Sequence, residues 1–270
     1  MNGALITLGR ELGAYLRSPV GYIIAFLLYL LRGYEVDRLL RNAAVFGIDR
    51  EVLATAYLLQ NSSLVMLILV PAVLTMRCFA EEKRTGSLEV LLTAPVRDGA
   101  VVAGKWGAAF GFFALLWAPA FVLLAVLQSS SYVGANLTWG PILSGMFGIL
   151  LVGGLLLAAG CFTSSLTDNQ LLASLSAMLF AWVILLGPSQ FRAVVEPVSA
   201  SEDATWLETA WRWIDGSVVR PVLDEINVAE HLQGWFFRGV ISSSHVIFYL
   251  TGTAVFLYLT TRVLESRRWR

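Results

Sequence analysis

The chain has 270 residues, of which 57% are hydrophobic and 14% charged, and its mean hydropathy is +0.71. Soluble domains carry about a quarter charged residues, so an ordinary soluble fold is excluded and an integral membrane protein is indicated. Nineteen basic residues balance nineteen acidic ones, which leaves no basic surface to hold nucleic acid by counterion release. Two cysteines and two histidines make neither a disulfide framework nor a zinc centre.

From the N-terminus, Leu5, Leu8, Leu12 and Leu16 recur at helical spacing with Arg10, Glu11 and Arg17 off the stripe. This predicts a helix over 1–17 lying in the membrane interface. The charges interrupt the stripe where a signal peptide would have a continuous apolar core. Pro19 to Leu31 reads as a short first span that runs into Arg32, Glu35, Asp37, Arg38 and Arg41. Each of these charges would cost about 2.5–3.5 kcal/mol at the bilayer centre. The pairs Arg32–Glu35, Glu35–Arg38 and Asp37–Arg41 have i,i+3 or i,i+4 spacing, so the helix can continue with its charges paired. The favoured expectation is a solvated outer helix end; the sharper one is a polar outer vestibule lined by these five residues.

Five further apolar runs of roughly 20 residues predict spans near 55–76, 106–127, 141–165, 170–190 and 241–261. No residue from Trp106 to Thr167 is charged, and the polar stretch Gln128 to Thr138 divides that run in two. With the N-terminus placed in the cytoplasm, eleven basic residues fall inside: two before Ser18, five from Arg77 to Lys105 and four after Thr261. Eight fall outside, in longer stretches, which agrees with a positive-inside bias. The segment 191–240 mixes eight acids and four arginines with aromatic residues, as short helices resting on the outer leaflet do.

Gly99 to Lys105 satisfies seven positions of a phosphate-binding loop, but Trp106 stands where Ser or Thr must hold magnesium. Such a loop also follows a buried strand, whereas this one runs into a span. No cofactor is therefore expected on this chain. An intramembrane serine protease is disfavoured as well: Ser189 follows Pro188, and no carboxylate lies on the His245 span to orient the imidazole. His245 and its neighbouring serines read as interhelical hydrogen-bonding groups. Gly107 and Gly111, and Ala173, Ala177 and Ala181, are small-residue stripes for close helix packing. Spans two to six carry no deep ionisable group, which argues against a self-powered carrier.

Between the second and third spans lies a charged loop from Arg77 to Asp98. On composition alone it is a solvated helix end. Yet Ser87 can cap a short helix whose Leu88, Leu91 and Leu92 form one apolar face, stopped by Pro95, and Asp98 can cap the next helix. Such an amphipathic peg suits docking into a groove on a soluble subunit.

In this block, Thr75-Met-Arg-Cys-Phe-Ala-Glu-Glu-Lys-Arg-Thr-Gly-Ser-Leu-Glu-Val-Leu-Leu-Thr-Ala-Pro95, the sequence resembles the permeases of ATP-binding-cassette exporters of the second type, particularly the gliding-motility-associated branch. Supporting stretches are Arg10-Glu11-Leu, Arg17 to Tyr22, Gly104-Lys105, Glu230-His231 through Val240, and Leu264 to Trp269.

The resemblance implies an all-α integral membrane protein forming one permease domain over 1–270. It would have six transmembrane helices, an N-terminal interfacial helix (1–17), a cytoplasmic coupling segment (78–98) between spans 2 and 3, and short outer helices (191–240) between spans 5 and 6. It implies contact of Glu81, Glu82, Arg84, Gly86, Ser87, Leu88, Glu89, Leu92 and Pro95 with a separate ATPase subunit that holds ATP and magnesium. It further implies a second permease chain, identical or related, and a bacterial cytoplasmic membrane with both termini cytoplasmic. A self-sufficient channel or membrane enzyme, and a non-transporting anchor of an envelope or motility complex, are the alternatives.

Overall fold

The computed structural model describes residues 3–46, 61–86, 97–129, 139–199 and 225–268. These form nine α-helices and, among the described residues, no strand. They are α1 (Gly3–Arg17), α2 (Pro19–Phe46), α3 (Asn61–Thr75), α4 (Ala80–Thr85), α5 (Asp98–Ser129), α6 (Trp139–Leu166), α7 (Gln170–Ser199), α8 (Val228–Gly234) and α9 (Ser243–Arg268). A 3-10 turn at Phe236–Arg238 joins the last two. Among the described residues, six segments are long and apolar enough to cross a membrane: Pro19–Asn42, Ser63–Thr85, Asp98–Leu123, Trp139–Leu166, Gln170–Phe191 and Ser243–Ser266. The chain is an all-α integral membrane protein.

α6 is the central post. It is apolar on every side, as a helix enclosed by others must be, and 72% of its most apolar stretch is buried, against 11% in α9. Small residues let its neighbours approach. The Phe113 ring lies directly over Gly153, and the Thr75 side chain over Gly160. α3, α5, α7 and α9 surround α6, and Ala173, Ala177 and Ala181 are all buried where α7 joins the bundle.

α1 packs along α5 through a glycine face. A Cβ on Gly104 would sit 2.7 Å from the Ala4 carbonyl oxygen, one on Gly107 3.0 Å from Leu8, and one on Gly111 3.8 Å from Leu12. The Gly107–Gly111 pair thus serves packing within the chain. Leu8 and Leu12 face α5, whereas Leu5 and Leu16 are exposed.

The first crossing departs from expectation. α2 continues through the charged stretch to Phe46, and Arg32 and Glu35 are not solvated: both are buried and pair at 3.6 Å. The Arg32 guanidinium lies 4.6 Å from the centre of the Trp117 ring, a cation–π contact that offsets part of its desolvation. Asp37 and Arg41 pair at 2.9 Å on the exposed side of the helix, where Arg38 is exposed as well. The i,i+3 and i,i+4 spacing pairs Arg32 with Glu35 and Asp37 with Arg41 without ending the helix.

Candidate functional site

α3 ends at Thr75, and the chain turns through 76–79 before α4 begins at Ala80. The first amides of a helix have no acceptor in their own helix. Here the Phe79 and Ala80 N–H groups both donate to the Ser164 hydroxyl of α6, each at 3.1 Å. α4 stops at Gly86, whose φ of 73° is a left-handed conformation that glycine adopts without steric cost. The buried free thiols of Cys78 and Cys161 lie 3.7 Å apart beneath this turn. Residues 76–86 therefore form an elbow fastened to the end of α6; the Ser87-capped helix expected from sequence falls outside the described residues.

A buried ion triad ties the elbow to two other helices. The Lys105 ammonium on α5, 3% exposed, reaches Glu82 of α4 at 2.8 Å and Glu11 of α1 at 3.3 Å. Removing such a charge from water is costly unless it is paired, and two carboxylates with the Phe79 ring 5.5 Å away supply the compensation. Burial alone would push the Glu11 carboxyl up, but Lys105 and Arg10 outweigh it and hold the group below its ordinary range. The next residue of α4 repeats the pattern on α6: the Lys83 ammonium donates to the Ser165 carbonyl oxygen and lies 3.8 Å from Asp168. A fourth tie comes from α1, where the Tyr15 hydroxyl donates to the Leu74 carbonyl oxygen at 2.8 Å.

Of the residues singled out in the loop, Glu82 points inward to Lys105, while Glu81 is half-exposed and 3.9 Å from Arg77. Arg84 and Gly86 are exposed. Ser87, Leu88, Glu89, Leu92 and Pro95 lie outside the described residues. Gly99 to Lys105 forms the first two turns of α5 rather than a loop. Ser164 and Asp168 were not singled out by sequence, and Glu11 and Lys105, though named there, were not joined to each other or to Glu82. The usable signal was Lys105 itself, the last charge before the long uncharged run.

The opposite end of the bundle is closed by aromatic and imidazole rings. Phe236 is buried against Gly148 of α6, and the Ser144 hydroxyl donates to the Phe236 carbonyl oxygen. His231 of α8 stacks on His245 of α9 with centroids 3.9 Å apart and shares a 3.0 Å hydrogen bond with the Tyr249 hydroxyl. Burial, and next His245, push the His231 imidazole down to about 4. Asn227 caps α8, its side-chain oxygen accepting from the Glu230 N–H at 3.3 Å. At the neighbouring end of α7, the Ser189 hydroxyl donates to the Leu186 carbonyl oxygen of its own helix.

One end of the molecule therefore gathers a polar elbow, and the other an aromatic cap. No curated protein matches the chain significantly. The profile described as ABC-2 family transporter protein matches residues 49–214, a stretch that contains the elbow, spans two to five and more than half of the chain. With its six crossings, the chain belongs to the ABC-2 family of transporter proteins.

Proposed function

We propose that this chain is the membrane-spanning permease subunit of an ATP-driven exporter of the gliding-motility-associated branch. It works as a dimer with a second permease chain and is driven by a separate ATPase subunit that carries the ATP and magnesium. The bacterial cytoplasmic membrane is its setting, with both termini and the 78–98 segment on the cytoplasmic side and 191–240 outside. Closure of the ATPase pushes on α4 and the residues after it.

The observation that carries this reading is the elbow itself. A short helix at the end of the second crossing is fixed at its base to α1, α5 and α6, so a push on it cannot be absorbed locally. Glu81 and Arg84 face outward and supply contact, whereas Glu82 relays load through Lys105. Glu89 and the 88–92 apolar face would complete the contact. At the other end, Asp37, Arg38 and Arg41, on the exposed side of α2, would line the outer vestibule, with Arg32 and Glu35 buried behind them.

Co-purification tests the partner. The Glu82→Gln, Leu88→Ala double variant should lose ATPase association or the response of nucleotide turnover to the permease. Survival of both overturns the coupling assignment, and so does nucleotide hydrolysis by vesicles that hold this subunit alone.

A further inference from the structure

Where α1 turns into α2, two cavities adjoin and share Tyr15 and Gly21 as a common wall. The larger, of about 280 Å³, is apolar on the side of Ile24, Val73 and Leu74 and ionic on the side of Arg77, Glu81 and the Lys105 triad. The smaller, of about 120 Å³, is an apolar groove along Leu16, Tyr22, Leu115 and Leu116. Leu16, Tyr22 and Leu115 are all exposed. Pro19 begins the first crossing and Arg77 lies near the end of the second, so the ionic compartment sits at headgroup depth and the groove faces acyl chains.

From this pairing we infer a binding site for one zwitterionic phospholipid bearing a primary ammonium, of the phosphatidylethanolamine class. Its headgroup enters the larger cavity and one acyl chain lies in the groove. The charges select the headgroup. Lys105 is already engaged by Glu11 and Glu82, but Arg77 and Glu81 stand 3.9 Å apart with their side chains 49% and 42% exposed. That is too open for a tight ion pair, and it leaves room for the phosphate to meet Arg77 and the ammonium to meet Glu81. The three carboxylates exceed the two cations on this wall, which disfavours a purely anionic headgroup. Glu81 is shared with the proposed ATPase contact, but the lipid site is read on the isolated chain, so its failure is distinguishable from failure of that contact.

The full chain, purified in detergent and stripped of lipid, is titrated with dioleoyl-phosphatidylethanolamine, dioleoyl-phosphatidylglycerol or soluble phosphoethanolamine. Native mass spectrometry counts adducts and thermal unfolding reads stabilisation. The expected result is one retained phosphatidylethanolamine that raises the melting temperature, with neither other compound doing so. The Arg77→Gln, Glu81→Gln variant should bind it about a hundredfold more weakly, the effect of losing two charged hydrogen bonds. Ala14→Trp, at an exposed position on the cavity lining, should abolish the adduct, with its lipid-free melting temperature serving as the check on folding. Equal retention of phosphatidylglycerol, equal stabilisation by soluble phosphoethanolamine, or an adduct that survives Ala14→Trp in a protein that melts normally would overturn the site.

Discussion

The two ends of the bundle are held by different physics. At the elbow, one lysine and two carboxylates from three helices meet out of water, and Ser164 takes the two leading amides of α4. At the cap, Phe236, Phe237, His231, His245 and Tyr249 fill space against α6 and α9, with hydrogen bonds from Ser144 to the Phe236 carbonyl oxygen and between His231 and Tyr249 to fix the register. Charge-assisted contacts are directional and fail abruptly when one partner is lost, whereas packed rings yield gradually. The elbow is thus suited to passing a load between helices and the cap to sealing.

The sharpest way to break this contrast is Lys105→Met, which leaves Glu11 and Glu82 facing each other. It should destabilise the purified chain by about 3–5 kcal/mol, as removing one partner of a buried ion pair does. The triple variant Glu11→Gln, Lys105→Met, Glu82→Gln should recover most of the melting temperature. It should not recover coupling, because the load path is gone.

Overpacking each end by one methyl comes next. A Cβ at Gly104 meets the Ala4 carbonyl oxygen at 2.7 Å, and one at Gly148 meets the Phe236 ring at 2.7 Å. Gly104→Ala and Gly148→Ala should each cost about 1–3 kcal/mol in thermal unfolding. Only Gly104→Ala, which lifts α1 off α5, should also lower permease-dependent ATPase turnover. Equal loss of turnover in both would erase the distinction between the ends.

A smaller lesion is Tyr249→Phe, which removes the hydroxyl that meets His231 at 3.0 Å. It should cost about 1 kcal/mol and leave ATPase turnover unchanged.

Acid separates the ends without any substitution. His231 has its folded-state value depressed to about 4, so it is neutral in the folded chain at pH values where an unfolded histidine takes up a proton. Its contribution to stability is fully present above the unfolded value of about 6.5 and is lost as pH falls towards about 4. Glu11 is depressed as well, but from the carboxylate range. Its contribution holds down to the unfolded carboxylate value and fades only below it. Melting temperature should therefore begin to fall below about pH 6.5, and His231→Gln should remove that early decline while leaving the later one.

How much of this could be read from the chain follows from what each feature depends on. The apolar runs and their polar breaks depend on composition within one segment, so all six crossings were legible as segments, although the first reads as ending at Leu31 and runs to Asn42. The leucine stripe of α1 and the small-residue stripes were legible too, since each needs only helical periodicity. The fate of Arg32 and Glu35 was not, because it turns on Trp117, far away in the chain, standing beside the guanidinium. The elbow was legible as a segment but not as a joint. Lys105 is 23 residues beyond Glu82 and 94 beyond Glu11, and nothing local says that α1 folds back along α5. At the cap, His245 reads from sequence only as a hydrogen-bonding group, and its stacking on His231 was not legible because it needs α8 to lay one ring on the other.

The central claim is that α1, α4 and the head of α5 move as one piece when the ATPase closes. Spin labels at the exposed positions 84 and 10, and at 84 and 233 in a second sample, read it directly in the permease–ATPase complex before and after nucleotide trapping. The account predicts an unshifted distance distribution for 84–10 and a shifted one for 84–233. A shift in 84–10 with 84–233 unchanged would mean that α4 slides free of the ion triad, and the elbow would carry no load.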